Sequence, residues 1–163
     1  MFRLLVALPL ILWSQGAAAL SCLPHDVAAT YHEAAESDDR YMIVLGEMQF
    51  DERLLPKTDL ANQMDTPPDT RIPARLKGQA LTRGGFLHPY DEEIVLNAQC
   101  FGPWCAGAVS GMRYLAFINL DRDTPEVTVT PCGGFAFGEP TPEMEKQVLQ
   151  CRNGGTCEPK LTR

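Results

Sequence analysis

The run YMIVLGEMQF, Tyr41 to Phe50, is apolar along most of its length, with β-branched Ile43 and Val44 and aromatic Tyr41 and Phe50. Side chains of that kind fit a pleated surface, and a near-continuous apolar run reads as a largely buried strand. Upstream, HDVAATYHEAAESDD holds Asp26 as a cap, with Val27, Tyr31 and Ala34 at helical spacing. It predicts one short helix ending near Ser37-Asp38-Asp39. Downstream, residues 51–71 carry three prolines among polar residues and predict a long loop, a length that is usually functional or disordered. IPARLKGQALT alternates Ile72, Ala74 and Leu76 against Arg75 and Lys77, the pattern of a half-exposed strand. RGGFLHPYDE (83–92) reads as a turn-rich connection, EIVLNAQC (93–100) as a strand, and FGPWCAGAVSG (101–111) as a Gly/Pro-punctuated excursion. MRYLAFINL (112–120) and EVTVTPC (126–132) read as the last two strands, joined by the turn DRDTP. In EPTPEMEKQVLQC a second helix starts with Thr141 as N-cap and Pro142 at its first position, and Met144, Val148 and Cys151 share one face.

Five meandering strands between two helices, without βαβ alternation, argue against a parallel sheet. The expected fold is mainly β: a small five-stranded antiparallel barrel of the OB type, closed or partly open, with an N-terminal and a C-terminal helix.

The N-terminus has the grammar of a secretory signal over residues 1–19: Arg3, an apolar run from Leu4 to Trp13, and Ala17-Ala18-Ala19 as a small-x-small cleavage site. That run is short of the ~20 residues needed to span a bilayer. Residues 20–163 then form a single domain, and no later segment approaches spanning length. Cleavage after Ser21 would instead expose Cys22, and a lipid anchor on Cys22 is disfavoured because Leu20 sits one place too late for a lipoprotein signal. A net charge of −7, with no cluster of Lys and Arg interleaved with aromatics, disfavours nucleic acid as a partner.

Six cysteines follow the signal: Cys22, Cys100, Cys105, Cys132, Cys151 and Cys157. An even count in an oxidising compartment predicts up to three disulfides, which staple the domain. RNGGT between Cys151 and Cys157 favours local closure. Cys100 and Cys105 can close across FGPW or bond elsewhere, while Cys22 and Cys132 join distant elements. CFGPWC has four intervening residues where a dithiol redox motif has two, so a structural role is expected. The cysteine spacings are also wide for structural zinc. His25, His32 and His88 are scattered, Ser110 lacks a nucleophile-elbow setting, and Asp91-Glu92-Glu93, like Ser37-Asp38-Asp39, reads as a solvated turn. Tyr114 and Phe117 are expected in the core, and Trp104 either packs over a disulfide or anchors a partner. The sequence thus predicts no catalytic residues, no metal and no cofactor.

The order of Cys22-x-Pro24, a helix, YMIVLGEM, Cys100, GMRYLAF, Pro131-Cys132 and a helix ending in Cys151 resembles the netrin-like module shared with the tissue inhibitors of metalloproteinases. The resemblance implies a disulfide-stapled OB-type fold. In the inhibitors an N-terminal cysteine chelates the zinc of a metalloproteinase through its free α-amino group and carbonyl, and the loop after the first strand adds contacts. By position, Cys22, Leu23 and Pro24 would form that wedge and 51–71 the flanking loop. The inhibitors begin with two cysteines one residue apart. Here Cys22 stands alone, and after cleavage at Ala19 the residues Leu20-Ser21 would block its amino group. The expectation is therefore an exported, non-catalytic module that binds another extracytoplasmic protein through Cys22, Leu23, Pro24 and Trp104. The absence of Asn-x-Ser/Thr and the short signal lean towards a bacterial, periplasmic or secreted protein. A metalloproteinase inhibitor acting through Cys22 and a thiol–disulfide redox protein using Cys100 and Cys105 are the alternatives.

Overall fold

A computed structural model describes residues 20–58, 62 and 66–160; the expected signal segment, 1–19, lies outside them. Helix α1 (Val27–Glu36) precedes the strands and α2 (Pro142–Arg152) follows them. The strands are β1 (Tyr41–Phe50), β2 (Asp69–Thr82), β3 (Gly85–Phe101), β4 (Trp104–Cys105), β5 (Met112–Asn119), β6 (Glu126–Thr130), β7 (Gly133–Gly134) and β8 (Ala136–Gly138).

Strand β1 pairs antiparallel with β2 and β5, β2 with β3, and β5 with β6, while β6 runs parallel to β3. These pairings close a ring in the order β3-β2-β1-β5-β6, an OB-type barrel to which β4, β7 and β8 are appended. The ring is strongly staggered. Ala74 stands opposite both Phe50 and Ile94. Further round, Val95 faces Glu126, Glu126 faces Asn119, and Asn119 faces Tyr41. A path round the barrel thus leaves β1 at Phe50 and rejoins it at its opposite end, Tyr41. Such shear tilts the strands and leaves an interior only wide enough for side chains.

That interior is filled by Val44, Met48, Ile72, Leu76, Ile94, Leu96, Ile118 and Val127, among others. A second cluster lies outside the barrel wall, where Val27 and Ala34 of α1 and Val148 of α2 cover Ile43, Leu45, Leu115 and Phe117. Strands β1 and β5 are therefore covered on both faces, which is why their sequences run apolar without alternation. Strand β2 is covered on one face and alternates. Between β1 and β2, Gly46 pairs with Gly78. A Cβ on Gly78 would sit 2.1 Å from the Leu45 carbonyl oxygen, and one on Gly46 would sit 2.5 Å from that of Lys77. Only glycine lets the two backbones approach this closely.

Four boundaries differ from the sequence reading. The connection expected at 83–92 is a turn of Arg83 and Gly84 only; Gly85 onward is strand, so β3 reaches 17 residues. Strand β6 pairs with β3 only over Val95–Ala98, and an edge stretch such as that around Pro89 tolerates proline. His88 and Asp91-Glu92-Glu93 thus lie on a strand, with Arg75 Nε donating to Asp91 at 2.8 Å. The loop expected over 51–71 opens with a 3-10 turn at Glu52–Leu54 and ends where β2 begins at Asp69; residues 59–61 and 63–65 lie outside the described residues. The 101–111 excursion contains β4, and two short strands follow the expected last one.

Asp26 caps α1 by accepting from the amides of Ala28 and Ala29, and Thr141 caps α2 by accepting from Met144. The disulfides join Cys22 to Cys132, Cys100 to Cys105 and Cys151 to Cys157, a set that fits an oxidising compartment. No helix among the described residues is long and apolar enough to cross a membrane.

The β3–β6 closure is held by a polar seam on the barrel wall. Arg71 pairs with the buried Glu126 at 2.8 Å, and Asn97 Nδ2 donates to Asp69 at 2.9 Å and to Glu126 at 3.4 Å. Removing one partner of such a pair strands a buried charge. Arg71→Ala is expected to lower stability by about 2 kcal/mol, less than for an enclosed pair because Arg71 is half exposed. Urea unfolding of the two proteins measures it.

Candidate functional site

Strands β1, β3 and β6 run the same way, so their C-terminal ends share one end of the barrel with the starts of β2 and β5. Among the described residues, the segments leaving that end are 51–58 and 66–68, the β3–β4 hairpin with its sequel to residue 111, and the Pro131-Cys132 turn. The Cys22–Cys132 disulfide brings the N-terminal segment to the same place. These segments form a rim.

The rim is stitched by hydrogen bonds. The Phe50 amide donates to Ser110 Oγ at 2.9 Å, and the Ser110 amide donates to Glu52 Oε1 at 2.6 Å. Thr58 Oγ1 donates to the Pro103 carbonyl at 2.7 Å, joining the long loop to the β3–β4 hairpin. The Cys100 amide donates to the Pro68 carbonyl at 2.9 Å. Tyr114 reaches out of the core, its hydroxyl donating to the Val109 carbonyl and accepting from the Val109 amide. At the base of the loop Arg53 holds the Asp51 carboxyl down to about 2 by hydrogen bonding.

Against this polar stitching the rim presents apolar side chains to solvent. Five large apolar residues among those described are exposed: Leu23 (82%), Leu54, Leu87, Phe101 and Val109. All but Leu87, which follows the β2–β3 turn, sit on rim segments. Trp104 is half-buried on β4, opposite Phe101.

The N-terminal segment is fixed twice. Beyond the disulfide, the His25 ring stacks on Phe137 with centroids 3.8 Å apart, and Nε2 donates to the Gly134 carbonyl at 2.9 Å. Gly133 is obligatory beneath it, since a Cβ there would lie 2.3 Å from the imidazole. Burial of the ring face lowers the His25 pKa below 6.5, outweighing the Gly134 hydrogen bond and the nearby Asp26 carboxylate. The folded state therefore prefers the neutral ring. Its contribution is complete above pH 6.5 and is lost as pH falls from there through the lowered value. Thermal unfolding is expected to shift down between pH 7 and 5 in the native protein, and by less in His25→Phe.

Of the residues singled out in the sequence, Cys22, Leu23 and Pro24 are exposed, and Trp104 comes to the same barrel end on a separate segment. Tyr114 and Phe117 are buried in the core. Cys100 and Cys105 face each other across the two-residue turn Gly102–Pro103, Cys100 buried, as a cross-strand staple rather than a pair at a helix start. His32 is engaged with the Cys157 carbonyl at 2.6 Å. Sequence reasoning missed Leu54, Phe101 and Val109; the available signal was that each lies within or beside a segment rich in turn residues. Among the described residues no group of three or more His, Cys, Asp and Glu is placed to hold a metal ion. No protein-family model, curated protein or solved structure matches the chain.

Proposed function

We propose that the protein is an exported, non-catalytic binding module of netrin-like type that grips another extracytoplasmic protein, in the periplasm or outside a bacterial cell, through the disulfide-pinned rim. The observation that carries this reading is the gathering of Leu23, Leu54, Phe101 and Val109 at one barrel end, on segments held by two disulfides and cross-loop hydrogen bonds. Apolar side chains that are already ordered lose little entropy on docking, and a core of such anchors ringed by polar groups is the usual anatomy of an interface.

The test uses extracytoplasmic extract and the disulfide-intact protein. Partners retained by the native protein are expected to be lost with Leu23→Asp combined with Phe101→Asp, and kept with Leu87→Asp, which charges an equally exposed position off the rim. Equal retention by both variants would sink the reading. A zinc-directed inhibitor is favoured by one observation, the exposure of Cys22 beside its disulfide to Cys132. It requires a mature chain that begins at Cys22. N-terminal sequencing that returned Leu-Ser-Cys would end it, because the α-amino group would then lie two residues away from Cys22.

A further inference from the structure

A cleft of about 460 Å³ opens between α1, the start of β1, the ends of β2 and β5, and the end of α2, away from the rim. Its half-buried walls include Tyr31, Tyr41, Leu81 and Leu120, and its only charged liners among the described residues are Arg40 and Arg152. No carboxylate lines it, although the whole chain carries a net charge of −7.

The arginines differ in how they are neutralised. Of the eight among the described residues, Arg40, Arg53, Arg71, Arg75, Arg113 and Arg122 each pair with a carboxylate. Arg83 and Arg152 do not. They are neighbours in the fold, because the Asn153 side chain donates to the Arg83 carbonyl at 3.0 Å. The C-terminus of α2 offers Arg152 only a partial negative charge of about half a unit, screened by solvent. An aromatic and aliphatic cleft with an uncompensated guanidinium at its edge has two complementary surfaces. One suits a flat apolar body, the other a planar anion that can take two parallel N–H donors.

We propose that this cleft is a binding site for a small organic acid with a flat apolar body, its carboxylate received by Arg152 while Arg83 adds to the local positive field. The body packs between the tyrosines of α1 and β1, Leu81 of β2 and Leu120 just past β5. Arg40, bound to Asp121 through Nε at 2.8 Å, closes the far side without competing for the anion.

The test titrates the isotope-labelled protein with 1-naphthoate and with the neutral 1-naphthalenemethanol, following amide resonances. Naphthoate is expected to saturate shifts at Tyr31, Tyr41, Leu81 and Leu120, and the alcohol to bind about tenfold more weakly, the loss of one charge-assisted contact. Arg152→Gln is expected to cause a similar loss for naphthoate and none for the alcohol. Arg152 is exposed, so the fold is not at stake; Arg75→Gln, on the exposed face of β2, is the control and should bind like the native protein. Shifts confined to other residues, or equal affinity for acid and alcohol, would overturn the proposal. So would an Arg152→Gln variant that binds naphthoate as tightly as the native protein.

Discussion

Gly78→Ala is expected to destabilise the barrel by about 3 kcal/mol, the upper part of the range for forcing atoms into a packed site. The reason is the partner the new methyl would meet. It would lie 2.1 Å from a backbone oxygen of β1 and 2.4 Å from the Gly46 Cα, so no side-chain rotation relieves the contact. The two strands would have to separate at a pair in the middle of their ladder. For a domain of this size that loss corresponds to a fall in Tm of roughly 10 °C. Gly107→Ala supplies the comparison: nothing lies within 4 Å of its added Cβ, and its Tm should change by less than about 2 °C. Calorimetry of the three proteins decides it. A Gly78→Ala protein that melts with the native one would mean that the strands can part without cost.

The second large effect belongs to the disulfide of widest span. Cys22 and Cys132 are 110 residues apart, against 6 for Cys151 and Cys157. Chain-entropy arguments give about 4–5 kcal/mol for a loop of the first size and about 2 for the second. Replacing Cys22 and Cys132 together with serine is therefore expected to cost about twice as much as replacing Cys151 and Cys157, measured by urea unfolding of each double variant under non-reducing conditions. The consequence for the rim is distinct from the loss of stability. Without that bond Leu23 is held only through the His25 stack and hydrogen bond, so partner capture should weaken even where the barrel remains folded.

The two-sided strands were legible because burial on both faces leaves a continuous apolar run, as in YMIVLGEMQF and MRYLAFINL. Both helix caps were legible because Asp26 and Thr141 are short acceptors placed just before amides that lack partners. The first half of β3 was not. Gly84, Gly85 and Pro89 are turn residues by composition, and proline is harmless there because β2 pairs with that stretch on one side only, β6 reaching no further than Val95 on the other. Ring closure was also invisible, because no local pattern marks Leu96 as the neighbour of Val127. At the rim, Leu23 and Trp104 could be named because they flank cysteines. Leu54, Phe101 and Val109 could not, since exposure is a property of the fold rather than of the residue. The cleft at Arg152 was hidden for a related reason: a guanidinium without a carboxylate partner is recognised only once the partners of the other arginines are known.

The long disulfide also sets a problem of order. Cys100 and Cys105 lie between Cys22 and Cys132 in the chain, so a polypeptide emerging N-terminus first into an oxidising medium offers Cys100 to Cys22 before Cys132 exists to meet it. The first thiol available in time is the wrong one in space. A bond made then must be undone by thiolate attack, and such exchange runs over seconds to hours unless catalysed. In that order the Cys22–Cys132 bond can close only after Cys100 and Cys105 have both appeared, though before Cys151 and Cys157, and a bond first made to Cys100 needs a shuffling thiol to correct it.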